Sequence, residues 1–432
     1  MNQSMKNSAR VVIIGGGFAG LYTAQKLRHH FLEVILIDKR NFHLFQPLLY
    51  QVATGGLSPA DIASPLRAIL KNQKNVQVIH QEVVNINLMK KQVITPTRTI
   101  QYDFLVLASG STHHYFGNSH WQKFAPGLKT IEDATHIRSK ILRAFELAEI
   151  ETDPEKRKEL MTFVIVGGGP TGIEMAGAIG EMVLHTLRND FRQISTPEST
   201  IYLVEAGERI LPSFPPRLSQ KAQNALKKFQ INVLTNAQVW EIKENEVIVR
   251  RGTEFQTIRT SNVIWAAGVK ASSLGELIAS QTGSEIDKQG RLFVNKYCQL
   301  PGHPDSYVIG DLAHFKDQSG KPLPGVAPVA MQQGKYVAKT ILKILNHQKI
   351  KPFKYWDKGN LAVIGRTAAV ATLGKFQFSG YIAWLLWLFV HLMYLVEFEN
   401  RLLVFVQWAF NYFTRNRSAR LIAHDGSDTL KN

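Results

Sequence analysis

Residues 11–20 read VVIIGGGFAG, and residues 163–172 read FVIVGGGPTG. In each, a short apolar run rich in β-branched residues leads directly into G-x-G-x-x-G, and a helical pattern follows. The first glycine (Gly15, Gly167) permits a tight turn, the second (Gly17, Gly169) lets backbone approach a pyrophosphate, and the third (Gly20, Gly172) lets helix and strand pack closely. Phosphate charge then lies against the free N–H groups at the start of the helix, with Phe18 and Ala19 in the first loop and Pro170 and Thr171 in the second. Other apolar runs alternate with helical patterns, which marks parallel sheets covered on both faces. The expected fold class is therefore α/β, with two Rossmann-like dinucleotide-binding domains and a C-terminal helical segment. The likeness of the two stretches is the only internal repeat, and it implies two separate nucleotide units rather than a solenoid.

An acid at the end of the second strand completes such a unit, because it can accept hydrogen bonds from ribose hydroxyls. EVILID ends at Asp38, eighteen residues after Gly20, with Lys39 beside it. IYLVE ends at Glu205, 33 residues after Gly172, and RNDFRQISTPEST accounts for the extra length as an insertion. Glu205 should accept the 2′-hydroxyl of NADH and repel the 2′-phosphate of NADPH, a preference that nearby Arg209 would soften. Glu174 stands two residues past the third glycine. It can complement the helix dipole, or it can lie beside the nicotinamide and position it.

Composition sets wider bounds. The 432 residues are 45% hydrophobic and 20% charged, so two or three globular domains are expected. One cysteine, Cys298, excludes an internal disulfide framework and a redox-active pair. The net charge of +17 fits nucleic acid, an anionic membrane surface or a polyanionic ligand equally well. VVII is too short for a signal-peptide core, so nothing suggests export. No metal site is expected. The expected domains are 1–150, 160–270, 271–345 and 346–432, with ETDPEKRKEL (151–160) as a linker.

Two later strands, YDFLVLASG and NVIWAAG, end in small residues, Ala108–Ser109–Gly110 and Ala267–Gly268, where a chain must pass close to a dinucleotide. YVIGDLA places Gly310 and Asp311 at a strand end, where a carboxylate can bond a ribityl chain. With NFHLFQPLLYQVATG (41–55), GGGPTGIE, VIGDLAHF and the block 376–422, the chain resembles the two-dinucleotide-binding-domain flavoproteins. Among them it closely resembles the type II NADH:quinone oxidoreductases. The resemblance implies FAD at the first loop (domains 1–150 and 271–345) and NADH, as substrate, at the second (160–270). It also implies that Gln46, Pro47, Thr54 and Val83 lie near the flavin, and that Glu174 stands at the hydride-transfer site. Without the family, HLFQPLLYQV is an apolar loop stiffened by proline.

The family's quinone motif is A-Q-x-A-x-Q. Ala327, Ala330 and Gln332 match it, but Pro328 replaces the first glutamine. Gln332 and Gln333 are the candidates to bond a quinone carbonyl, against a bland reading as solvent-facing glutamines. Pro328 suits the first turn of a helix whose N-terminus would stabilise negative charge on the reduced flavin. Lys375, just before the hydrophobic tail, is the candidate proton donor to the quinone.

FQFSGYIAWLLWLFVHLMYLV (376–396) carries no formal charge and has the length of a membrane span, yet a second apolar, aromatic helical pattern follows at once. Leu402, Val406, Ala409, Phe410 and Phe413 share one face. Trp384, Trp387, Trp408 and Tyr412 suit the headgroup boundary, and Arg415, Arg417 and Arg420 suit lipid phosphates. The preferred expectation is a monotopic pair of interfacial helices on the cytoplasmic face of the cell membrane. A single span, a dimer interface and a buried core are the alternatives, and a homodimer is compatible with the sequence. Seven lysines between 335 and 358 add attraction to an anionic lipid surface, which accounts for the charge better than nucleic acid does.

The partners expected are thus NADH, a membrane quinone and lipid, and a surface domain of this kind should pump no protons. The rivals are a sulfide:quinone oxidoreductase, which needs cysteines that this chain lacks, and a non-catalytic NADH-sensing or nucleic-acid-binding flavoprotein.

Overall fold

The structure, a computed structural model, describes residues 8–414, 417 and 419–422. It divides into two units, each assembled from three stretches of chain. The first comprises Met1–Leu44, Ala63–Thr112 and Val269–Asp357, and the second Phe45–Ile62, His113–Gly268 and Lys358–Asn432. These bounds differ from the linear division expected from sequence. The stretch 113–150 joins the second unit because its helix Ile131–Ile150 packs on the strand Asn262–Trp265 and on the helix Leu49–Ala53. The expected linker is also structured: Pro154–Leu160 is a helix, capped by the Asp153 carboxylate accepting the Glu155 N–H at 2.9 Å.

The first unit carries a six-stranded sheet in the order Gln299–Leu300, His303–Val308, Phe104–Leu107, Arg10–Ile14, Glu33–Asp38 and Val76–His80. All neighbours are parallel except the first pair. Val11, Val12 and Ile13 are fully buried, as a central parallel strand requires. The helix Phe18–Lys26 packs along the helix Ala327–Leu345. Gly334 makes that approach possible, since a Cβ there would stand 2.3 Å from the Ala19 carbonyl oxygen.

In the second unit four parallel strands run Ile231–Leu234, Thr200–Val204, Thr162–Val166 and Asn262–Trp265. An antiparallel meander, Gln238–Arg259, precedes the last of them, just as the meander Asn85–Gln101 precedes Phe104–Leu107 in the first unit. The chain thus repeats an architecture, not only a motif. After residue 358 come a three-stranded antiparallel sheet, Asn360–Ser379, and two helices, Tyr381–Tyr394 and Phe398–Thr414. No helix among the described residues is long and apolar enough to cross a membrane, so the 376–396 run is no single span. Its first four residues are a strand, and the helix breaks before Leu395.

Candidate functional site

The two glycine loops close in the same way. Gly15 donates its N–H to the Ile37 carbonyl at 2.8 Å, and Gly167 to Val204 at 2.8 Å. Both have φ above +100°, which only glycine adopts without strain. A Cβ on Gly20 or on Gly172 would lie 1.8 Å from the carbonyl oxygen of the loop's first glycine. A Cβ on Gly17 or Gly169 would meet nothing within 4 Å. The second glycine is therefore not required by the protein's own packing; it keeps the approach to the loop clear for a group from outside, as a pyrophosphate cradle demands.

The acids repeat as closely. Asp38 accepts the Gly16 N–H at 2.5 Å on one oxygen and the Arg40 N–H at 2.7 Å on the other. Glu205 accepts the Gly168 N–H at 2.6 Å and the Gly207 N–H at 2.6 Å. Each carboxylate is fixed across its loop by two backbone donors and retains lone pairs for a ribose. Burial still raises the Asp38 pKa despite those donors. Arg209, the nearby cation, is turned away from Glu205 into bonds of its own. Its guanidinium donates to the carbonyls of Leu211, Pro212 and Phe214 and to the Ser219 hydroxyl, which leaves it fixed to its own loop.

Around the first cradle, Gly310 brings predicted residues together: a Cβ there would lie 3.4 Å from the Ala19 methyl and 3.7 Å from that of Ala330. The start of the helix Ala327–Leu345, with Pro328 in its first turn, thus meets the Gly310–Asp311 turn. Asp311 accepts the Ser111 hydroxyl at 2.6 Å, and Ser109 and Ser272 share a bond of 2.5 Å. Ala108 donates its N–H to Ile14 at 2.8 Å, and Ala266, next to Ala267, does the same to Val166. Lys39 is exposed, 3.8 Å from Glu82, and Val83 is core. These residues fit a flavin dinucleotide: an unobstructed glycine cradle, a ribose acid and a carboxylate at the strand end. His43 escaped the sequence reading. It is buried under this loop, bonds the Gly16 carbonyl at 3.0 Å and meets Phe18 edge-on, and burial lowers its pKa to about 4. Neutral, it donates from Nδ1.

The two quinone glutamines are not equivalent, and the expectation for Gln333 needs correction. Gln333 is 1% exposed, and its Oε1 accepts the Gly310 N–H at 2.7 Å, so it holds the turn rather than a ligand. Gln332 brackets the Trp356 backbone, donating to its carbonyl at 2.9 Å and accepting its N–H at 3.0 Å. One N–H and one lone pair remain on that amide.

The second unit holds what the sequence did not show. A recess open to solvent, with a cavity of about 90 Å³, is lined by residues from 50–56, 178–186 and 363–366 and by both C-terminal helices. Its charged floor is the buried Glu181 carboxylate, paired with Arg366 and, at 3.0 Å, with Arg417. Arg366 also caps the last helix by donating to the carbonyls of Asn411 and Tyr412 at 3.1 and 3.0 Å. Arg417 reaches the Thr54 carbonyl at 3.0 Å, and Trp408 donates to Gln51 at 2.7 Å. Two guanidinium groups on one buried carboxylate leave a net positive charge at the floor of the recess. Gln46 is exposed, 3.3 Å from the Lys129 carbonyl; Pro47 opens a 3₁₀ turn; and the Thr54 hydroxyl is satisfied by the Tyr50 carbonyl at 2.9 Å.

This arrangement corrects the lipid assignments. Arg417 is buried in the triad and Arg420 pairs with Asp190, so neither is available to phosphates; Arg415 lies outside the described residues. Trp387 is buried and packs at a tilt on Trp408 at 5.1 Å, while Trp384 packs on Tyr412 at 5.5 Å, so these rings wall the recess. The outward faces carry other residues: Tyr381, Ile382, Phe389 and Met393 on one helix, and Leu402, Phe405, Val406, Phe410 and Phe413 on the other.

Glu174 accepts the Val363 N–H at 3.4 Å, and burial raises its pKa to about 8. The Trp387 indole N–H pulls the other way without closing to bonding distance, and it is a buried donor with no partner in the structure. Burial and the neighbouring Glu174 charge also push the Tyr50 phenol well up. Lys375 is exposed on a turn. Cys298 is fully buried, and burial raises its thiol, so it has no access to a substrate.

Fold and cradles together define a class, the proteins with two dinucleotide-binding domains. The profile of the pyridine nucleotide-disulphide oxidoreductases matches residues 9–334, and that of the NDH2 C-terminal domain matches residues 357–416. Two Mycobacterium tuberculosis proteins, the type II NADH:quinone oxidoreductases Ndh and NdhA, are 42% and 43% identical to this chain. The alignments cover 94% and 96% of it and 89% of each relative. A Plasmodium falciparum NDH2 in complex with NADH superposes with a TM-score of 0.88 at 21% identity, over 97% of this chain and all of that one. A sulfide:quinone oxidoreductase from Aquifex aeolicus reaches 0.72 at 17% identity, over 98% and 94%, which is a likeness of fold. The chain belongs to the type II NADH:quinone oxidoreductases, within the pyridine nucleotide-disulphide oxidoreductase family.

Proposed function

We propose that this chain oxidises NADH and reduces a membrane quinone to quinol without pumping protons, with FAD held at the first cradle and NADH bound at the second. The observation that carries the reading is one loop-and-acid geometry built twice in one chain. When bound, the flavin supplies the redox chemistry, accepting hydride and returning two electrons. The chain's own residues do the rest. Asp38 and Asp311 hold the flavin nucleotide, and Glu205, with Arg209 immobilised, selects NADH over NADPH. Glu174, protonated below about pH 8, keeps a negative charge out of the reaction site and stores a proton there.

The quinone site in this reading is the recess. Its aromatic walls suit a planar ring, and the partnerless Trp387 N–H and the Arg366 Nη2 offer donors to an acceptor-only headgroup. The Ala327–Gln332 segment remains the proposed approach on the flavin side. The outward apolar faces of the two C-terminal helices lie on the cytoplasmic leaflet. Replacing Trp387→Phe keeps the ring and removes the N–H. The KM for quinone should rise about two- to tenfold, the worth of one hydrogen bond, with the KM for NADH unchanged. An unaltered quinone KM would move the quinone elsewhere.

A further inference from the structure

From Ala327 to Trp356 the chain carries six lysines and no acid. The helix Ala327–Leu345 buries Val329, Val337, Ala338 and Ile341. That leaves Lys335, Lys339 and Lys343, spaced four apart, along its outer side, where like charges repel. The following strap, residues 346–356, has almost no regular structure, yet it is fixed at three points. Phe353 is buried and donates its N–H to Lys296 at 2.9 Å; Tyr336 donates its hydroxyl to the Lys351 carbonyl at 2.7 Å; and Gln332 brackets the Trp356 backbone. Along this strap the side chains of Lys349, Lys351 and Lys354 are exposed and make no ion pair among the described residues. Trp356 is 73% exposed. A strap tethered this firmly holds three cations outward beside a largely exposed indole.

We propose that this helix-and-strap face is a second membrane contact, which binds anionic phospholipid headgroups through Lys349, Lys351 and Lys354 and seats Trp356 at the headgroup boundary. The inference rests on the membrane reading above and adds a charge-selective element to it. Lysine near an anionic leaflet gains from the surface potential, and indole partitions to the interface. Nucleic acid would satisfy the charge as well. Lipid is favoured because the same chain turns the apolar faces of two helices outward, which a nucleic acid cannot use.

The test is co-sedimentation of the full-length flavoprotein with vesicles of phosphatidylcholine alone or mixed with phosphatidylglycerol. At low salt the triple variant Lys349→Gln, Lys351→Gln, Lys354→Gln should lose about fivefold per lysine, or ~100-fold in all, on the mixed vesicles. It should bind phosphatidylcholine as the parent does. A control with the same charge change elsewhere, Lys156→Gln, Lys158→Gln, Lys228→Gln, should lose only a few-fold. Brominated phosphatidylglycerol should quench the parent's tryptophan emission more than that of Trp356→Phe. Equal losses in the two triple variants, unchanged quenching, or tighter binding of the strap to duplex DNA than to mixed vesicles would each overturn the proposal. Failure of the parent to bind either vesicle would sink the membrane reading itself. Binding to both kinds alike would sink only the strap.

Discussion

Replacing Glu205→Gln tests the second cradle at its most constrained atom pair. Both carboxylate oxygens accept a backbone N–H at 2.6 Å, from Gly168 and from Gly207. Glutamine has one acceptor oxygen, so its amide NH₂ must face one of those two donors. The ribose hydroxyl also loses its charged acceptor, a hydrogen bond worth about 1.5–3 kcal/mol, so kcat/KM for NADH should fall about ten- to hundredfold. For NADPH an opposing term is removed. A unit charge pair about 5 Å apart at an effective dielectric near 20 repels by about 3 kcal/mol, and solvent at this partly exposed rim reduces that. Losing the repulsion offsets the lost bond, so kcat/KM for NADPH should barely change. Arg209, tied to Leu211, Pro212, Phe214 and Ser219, cannot swing to a 2′-phosphate and create a tight NADPH site. Steady-state kinetics with both coenzymes should therefore show the NADH preference collapsing towards parity through loss of NADH activity. A preference that survives unchanged would make Glu205 a loop tie and nothing more.

The glycines separate packing from binding. Gly172→Ala forces a Cβ to 1.8 Å from a carbonyl oxygen and should lower the thermal midpoint, whereas Gly169→Val should fold normally and raise the KM for NADH at least tenfold. Thermal melts beside kinetics distinguish the two. Glu174 binds its proton more tightly folded than unfolded, so its contribution to stability should fall as pH rises from the ordinary carboxylate range through about 8. Glu174→Gln should flatten that slope in pH-dependent melts; an unchanged slope would mean that the carboxyl is already ionised at neutral pH.

What the sequence revealed was local. A glycine triplet, the strand before it and the acid after it lie within 25–45 residues, and their chemistry is written in spacing. The recess was hidden because its parts come from four distant stretches, and Gln51 and Trp408 are 357 residues apart. Arg417 reads as a basic residue after an apolar helix; only its pairing with Glu181 shows it to be interior. There was one hint, since Glu181 stands alone in the small, apolar run AGAIGEMV, where a charge needs a partner. The roles of Gln332 and Gln333 were also readable in part. Neighbours on a helix point about 100° apart, and Gln333 shares the buried face with Val329, Ala330 and Val337. The tryptophans line the recess rather than the outer face, and composition does not separate the two, because aromatics at an interface and aromatics around a cavity look alike in sequence. Only the fold tells inward from outward.

The most direct measurement follows the flavin absorbance of the purified protein under anaerobic conditions. One equivalent of NADH should bleach the visible band within the turnover time, and one equivalent of a soluble quinone added afterwards should restore it. Protein that purifies without flavin and takes none up, or a band that NADH leaves untouched, would contradict the assignment of two coenzymes to two cradles.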